Sequence, residues 1–113
     1  MAYEQYQSCI DTCKKAIVAT EACIAACRSE GHSTMMQRCI ALDTDCAEFC
    51  KLAVRFMERD SEFSALICED CAAVCKECGD ECIKHQVKHC QDCAKACYLC
   101  MDECLKMVSV EIN

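Results

Sequence analysis

The chain has 113 residues, of which 17 are cysteine, only two are glycine and none is proline. This length suits one domain, residues 1–113, with a single modest core, and the shortage of turn-forming residues predicts a few long helices. The net charge of −7 argues against nucleic acid and anionic membrane surfaces as partners, and no apolar run approaches the roughly 18 residues of a membrane span.

The cysteine content does not fit a secreted disulfide scaffold. The number is odd, so at least one thiol stays unpaired, and the first eight residues, MAYEQYQS, lack the features of an export signal. Helix axes pack roughly 8–10 Å apart, whereas disulfide-bonded Cα atoms lie about 4.4–6.8 Å apart. We therefore expect a cytoplasmic location with free or metal-bound thiols.

The first two predicted elements are helices over about 3–28 and 33–59. Gly31 is the expected stop signal of the first helix, and Ser33 is the expected N-cap of the second. Both segments carry cysteine at alternating steps of three and four residues, which is the spacing of the apolar seam of a heptad helix.

The second half of the chain contains one fifteen-residue pattern twice. Residues 68–82 and 90–104 both read C-x-D-C-A-x-x-C-x-x-C-x-D-E-C. They predict a third helix, which follows the cap signal Asp60-Ser61 and ends near residue 84, and a fourth, which runs from a turn near 85–88 to about residue 108. Short connections between four helices predict an all-α, antiparallel up-down-up-down bundle with a cysteine-lined core.

Every cysteine falls on one of these seams: Cys9, Cys13, Cys23, Cys27, Cys39, Cys46, Cys50, Cys68, Cys71, Cys75, Cys78, Cys82, Cys90, Cys93, Cys97, Cys100 and Cys104. Cysteine is short, so stability alone would favour leucine and isoleucine at these positions. Asp43 also falls on the seam, and we expect its carboxylate to rotate to solvent.

Soft thiolates select Cu(I), Zn(II) and iron–sulfur clusters. Zinc and iron–sulfur sites use a few ligands, typically on loops, and need no continuous column of thiols along four helices. Cu(I) accepts two or three sulfur ligands, and a sulfur can bridge two ions, so the column favours many Cu(I) ions, on the order of one per cysteine. A general zinc or cadmium buffer and a thiol–disulfide redox protein remain alternatives; the sequence shows no catalytic set of an enzyme.

The four cysteine seams and the doubled pattern resemble the cytosolic bacterial copper storage proteins over essentially the whole chain. The resemblance implies a homotetramer of four-helix bundles, each of which binds many Cu(I) ions through its core cysteines and protects the cell from copper toxicity. A copper chaperone or a small thiol is the expected donor of the ions.

In such a bundle the first and third connections lie at the same end, which we call the mouth. The mouth collects weaker, exchangeable Cu(I) ligands, His32, Met36, His85 and His89, with Met35 beside them. We predict that copper enters there, and that Phe56 and Phe63 help to close the opposite end.

Overall fold

The computed structural model describes the backbone of residues 2–31 and 34–112, and the side chains of 4–31 and 34–108. Its helices are α1 (Ala2–Gln5), α2 (Gln7–Ser29), α3 (Gln37–Glu58), α4 (Ser64–Cys82) and α5 (Lys88–Ile112). The four long helices are the predicted ones. Within the described ranges the one additional helix is α1, a single turn that Tyr6 separates from α2.

The long helices form the predicted antiparallel four-helix bundle. Each packs against two others, since α2 contacts α3 and α5 while α4 contacts α3 and α5, so the chain closes a square. The molecule is a rod of 46 × 19 × 17 Å. One continuous core therefore runs along its axis. No helix in the described ranges is long and apolar enough to cross a bilayer.

Two helix boundaries at the mouth differ from those expected. Gly31 does stop α2, because it adopts a φ of +73° that favours glycine. The predicted cap Ser33 lies outside the described residues, and α3 begins at Gln37 rather than near 33, since residues 34–36 form a turn. Met36 is the N-cap residue of α3, and its side chain forms no capping hydrogen bond. The start of α3 therefore could not be predicted from a capping residue in the sequence.

The α3–α4 connection contains the predicted cap residue Ser61, but α4 begins three residues later. The backbone reverses at Asp60, whose φ is +53°. The Ser61 hydroxyl then accepts a hydrogen bond from the Phe63 amide (3.0 Å), and its carbonyl accepts one from the Ser64 amide (3.1 Å). These bonds satisfy donors that the helix start leaves unpaired.

The α4–α5 connection is formed without glycine or proline. The Gln91 side-chain amide reaches back to the carbonyl oxygens of Ile83 (3.1 Å) and His85 (2.6 Å). A side chain one turn into α5 thus satisfies carbonyls freed at the end of α4. The fourth long helix then continues to Ile112, beyond the predicted end near residue 108.

Gly79 allows α4 and α5 to approach closely. A Cβ atom at this position would lie 2.7 Å from Cε1 of Tyr98, whose hydroxyl donates a 2.7 Å hydrogen bond to Asp80. The glycine inside α4 costs about 1 kcal/mol against alanine in helix propensity, and the ring of Tyr98 occupies the space it leaves.

Candidate metal centre

All seventeen cysteines are buried and none forms a disulfide. The alternating three- and four-residue steps place one stripe of sulfurs on each long helix, and the bundle turns the four stripes toward one axis. We call this set of seventeen buried thiols the thiol column.

Sulfur atoms from different helices are in contact at the end of the column away from the mouth. The Sγ atoms of Cys9 and Cys104 lie 3.6 Å apart, and those of Cys13 and Cys100 lie 3.4 Å apart. Cys100 also lies 3.8 Å from Cys50, which crosses the bundle from α5 to α3. A single ion at this level can therefore reach thiols from three helices.

The contacts continue through the middle of the bundle. Cys50 lies 3.7 Å from Cys71 on α4, and Cys46 lies 3.5 Å from Cys75 and 3.9 Å from Cys97. Such distances suit sulfurs that share an ion, because two ligands with bonds of about 2.3 Å lie about 3.8–4.0 Å apart at tetrahedral and trigonal angles.

Several sets of four sulfurs lie mutually within 4.8 Å. Two of these sets have two thiols in common: Cys13, Cys71, Cys100 and Cys104 in one, and Cys50, Cys71, Cys75 and Cys100 in the other. Shared sulfurs are what bridging thiolates require, so the column suits linked metal clusters better than separate mononuclear sites.

Asp43 is buried within the column, and the expectation that it turns to solvent is wrong. Its exposed fraction is 0%, and its Oδ1 atom accepts hydrogen bonds from the thiols of Cys78 (3.0 Å), Cys82 (3.3 Å) and Cys93 (3.3 Å). The seam position of α3 directs the carboxyl group inward, and three thiol donors from the neighbouring helices satisfy it there. A carboxylate oxygen thus lies among the sulfurs of the column.

Four thiols form the group of the column at the mouth: Cys23, Cys27, Cys39 and Cys90. His89 reaches this group, since its Nδ1 atom lies 3.4 Å from the Cys23 sulfur and 3.6 Å from the Cys90 sulfur. Its Nε2 atom lies 3.0 Å from the Glu30 carboxylate, which orients the ring. One predicted histidine is therefore brought to the thiols.

Of the other candidate ligands at the mouth, the structure describes His85 and Met36, with Met35 beside them. His85 contacts the Glu81 carboxylate at 3.1 Å, and His32 lies outside the described residues. Met36 is buried, while Met35 is 75% exposed. Both methionines and His85 line a cavity of about 260 Å³ that opens at this end.

Burial keeps thiols of the mouth group protonated in the metal-free protein. It raises the pKa of Cys90 to about 11, and it raises the pKa of Cys27 above its ordinary value. The charged thiolate is disfavoured in an apolar interior, so a metal ion must displace the proton when it binds.

The end opposite the mouth is closed by residues that the sequence interpretation did not treat as ligands. Met57 is fully buried, with its Sδ atom 3.7 Å from the Cys68 sulfur, and Tyr6 and Met107 are buried beside this end. Phe63, an expected part of the closure, is 53% exposed. The contact of Met57 with Cys68 joins α3 to α4, so it follows from the packing of the two helices.

Asp43 makes the stability of the metal-free protein depend on pH. Burial, which disfavours the charged carboxylate, raises the pKa of Asp43 to about 7 from its ordinary value of 3.8. Between these values the folded state holds a proton that the unfolded chain releases, so the free energy of unfolding falls as pH rises from about 4 to about 7. A shift of this size corresponds to at most about 4 kcal/mol.

We expect Asp43→Asn to remove this decline, because the amide oxygen still accepts thiol hydrogen bonds but does not titrate. Urea unfolding of the reduced apo-protein at several pH values measures the effect. The two proteins have the same histidines, so the difference between their free energies of unfolding isolates the titration of Asp43. Parallel pH curves for the two proteins would contradict the assignment.

Comparison with known proteins identifies the family. The family described as "Copper storage protein" (Csp) matches residues 2–109. The Cu(I)-bound copper storage protein BsCsp3 is similar with a TM-score of 0.89 and 41% identity, over 92% of this chain and 98% of that chain. A cytosolic copper storage protein from Streptomyces lividans with five coppers is similar with a TM-score of 0.90 and 32% identity, over 96% and 95% of the two chains.

A curated relative is the uncharacterized cysteine-rich protein YhjQ of Bacillus subtilis (strain 168). It is 43% identical over 87 residues, which are 76% of this chain and 81% of the relative. The family match over nearly the whole chain, together with the buried thiol column, confirms the resemblance seen in the sequence. The chain belongs to the copper storage protein family.

Proposed function

We propose that this protein is a non-enzymatic store that holds many Cu(I) ions in its thiol column. The observation that carries the proposal is the continuity of the column: seventeen buried, unpaired cysteines in which successive groups of four share sulfurs. Cu(I) is the ion that uses such sharing, since it accepts two or three sulfur ligands and thiolates bridge readily.

Charge also favours Cu(I) over a divalent cargo. Each Cu(I) that replaces a thiol proton leaves a neutral copper–thiolate unit, so many ions enter the buried core without accumulating charge. At the same ratio of one ion per thiol, zinc or cadmium would leave one positive charge per site. Two solved relatives are described as Cu(I)-bound and as loaded with ten copper equivalents, which supports the same cargo here.

We infer that the ligands are the seventeen cysteines of the column together with His89, Met36, His85 and His32 at the mouth. The contacts support His89 most directly, because its ring already lies against two thiols. Imidazole and thioether bind Cu(I) more weakly than thiolate, so these groups suit capture and transfer of an ion rather than its retention.

The proposed setting is the cytosol, which is the location stated for the Streptomyces lividans relative. There the protein would receive Cu(I) from a copper chaperone or a small thiol and limit copper toxicity.

We also propose a homotetramer. Exposed apolar side chains lie on outer helix faces, among them Val18, Leu66 and Leu99, and a subunit interface would bury them. A monomeric mass in sedimentation equilibrium would refute this assembly.

We expect the reduced apo-protein to bind Cu(I) at about one ion per cysteine, about seventeen per chain, because every thiol is buried in the column and thiolates bridge Cu(I) ions. Anaerobic titration against a chromophoric Cu(I) chelator measures the capacity, and a parallel zinc titration serves as the control. Saturation at four or fewer ions would refute storage along the column. Equal zinc capacity would instead support a general soft-metal buffer.

We expect His89→Ala to slow Cu(I) uptake several-fold while leaving the capacity nearly unchanged. The imidazole lies at the first thiols an ion meets from the mouth, so its loss removes a capture ligand but none of the column. Stopped-flow loading measures the rate. Gln86→Ala is the matched control, because Gln86 lines the cavity at the same end and is not a proposed ligand. Equal rates for all three proteins, or equal slowing by both variants, would contradict the role of His89.

A further inference from the structure

The thiol column ends, away from the mouth, at Cys68. The thiols of Cys104 and Cys9 lie beside Cys68 and are themselves 3.6 Å apart. On its outer side Cys68 meets a sulfur of a different kind, because its thiol donates a 3.7 Å hydrogen bond to the thioether of Met57. The row of sulfur atoms therefore extends one residue beyond the last cysteine.

The environment of Met57 excludes water from this contact. Its side chain is 0% exposed, Cys68 and the adjacent Ser64 are also fully buried, and Tyr6 and Met107 are nearly so. A Cu(I) ion bound to Cys68 therefore has no solvent ligand on its outer side. Met57 presents the sulfur available there, and a neutral thioether completes the coordination without adding charge to a buried site.

The distance between the two sulfurs suits a shared ion. Two sulfur ligands with bonds of about 2.3 Å to one metal lie about 3.8 Å apart at a tetrahedral angle and about 4.0 Å apart at a trigonal one. The Met57 and Cys68 sulfurs are 3.7 Å apart before any ion is present. The thiol proton points at the thioether, so an ion that displaces this proton enters between the two sulfurs.

We propose that Met57 is a copper ligand and that it forms, with the thiolate of Cys68 and a thiolate of Cys9 or Cys104, a terminal Cu(I) site at the closed end of the column. This inference rests on the proposed storage function and extends its ligand set to a thioether. The thiolate of Cys9 or Cys104 is shared with the neighbouring Cu(I), which has already displaced its proton. The terminal Cu(I) therefore displaces only the Cys68 proton, which leaves to solvent, and no electron is transferred. The closed end is thus the last binding position and not a passive plug.

The test uses selenomethionine-labelled protein in a Met36→Leu background, which removes the methionine proposed at the mouth and leaves five of the six methionines. After loading with Cu(I), X-ray absorption at the selenium edge reports copper bound to selenium. We expect a short selenium–copper path for about one selenium in five, absent from the apo-protein. Met57→Leu should abolish it, and Met107→Leu, the same change at another buried position of this end, should retain it.

A second measurement follows retention of copper during a challenge with a Cu(I) chelator. In the Met36→Leu background, we expect the added Met57→Leu change to release one equivalent of Cu(I) about ten-fold faster than the parent protein does. The added Met107→Leu change should leave the release rate equal to that of the parent. Absence of the selenium–copper path in the loaded parent, or its persistence in Met57→Leu, would show that Met57 only fills space, whatever the copper capacity. A parent that takes up no copper would refute the storage function, and this site with it.

Discussion

The structure depends on one constraint, the burial of seventeen unpaired thiols along a single axis. A thiol side chain is short, so a core built from it gives less apolar burial than leucine or isoleucine would and needs closely packed helices. The contact of Gly79 with Tyr98 between α4 and α5 meets this need, and Ile10, which is fully buried, adds apolar volume beside the sulfurs. The cysteine-rich core is therefore a compromise between the stability of the fold and the number of metal ligands.

The same constraint explains how the core can change its contents. Protonated thiols are neutral, and a Cu(I) ion that replaces a proton preserves that neutrality, so the bundle can be empty or filled without a buried charge at each site. Asp43 is the exception, because its carboxyl group binds three thiols through one oxygen and titrates near neutrality. The column thus has a polar position, which lies nearer the mouth than the closed end because Asp43 is in the first half of α3.

The two ends of the bundle differ in chemistry. At the mouth, His89 links the thiols to the exposed Glu30 carboxylate, and an open cavity lies beside Met36. At the closed end, buried side chains surround Cys68 and Met57. This difference is the basis for our proposals that ions are captured at the mouth and retained at the closed end.

Residue spacing and residue type were enough to predict the four long helices, the inward stripe of thiols on each and the class of metal, and the family confirms this interpretation. These properties are local: residue spacing sets which face of a helix is buried, and residue type sets which ion it binds. Tertiary structure alone decided that Asp43 is satisfied by Cys78, Cys82 and Cys93, that His89 meets Cys23 and that Met57 meets Cys68. Each of these contacts joins different helices. A periodic pattern predicts which face of a helix is buried, but it does not predict how far the helix is shifted along the bundle axis relative to its neighbours.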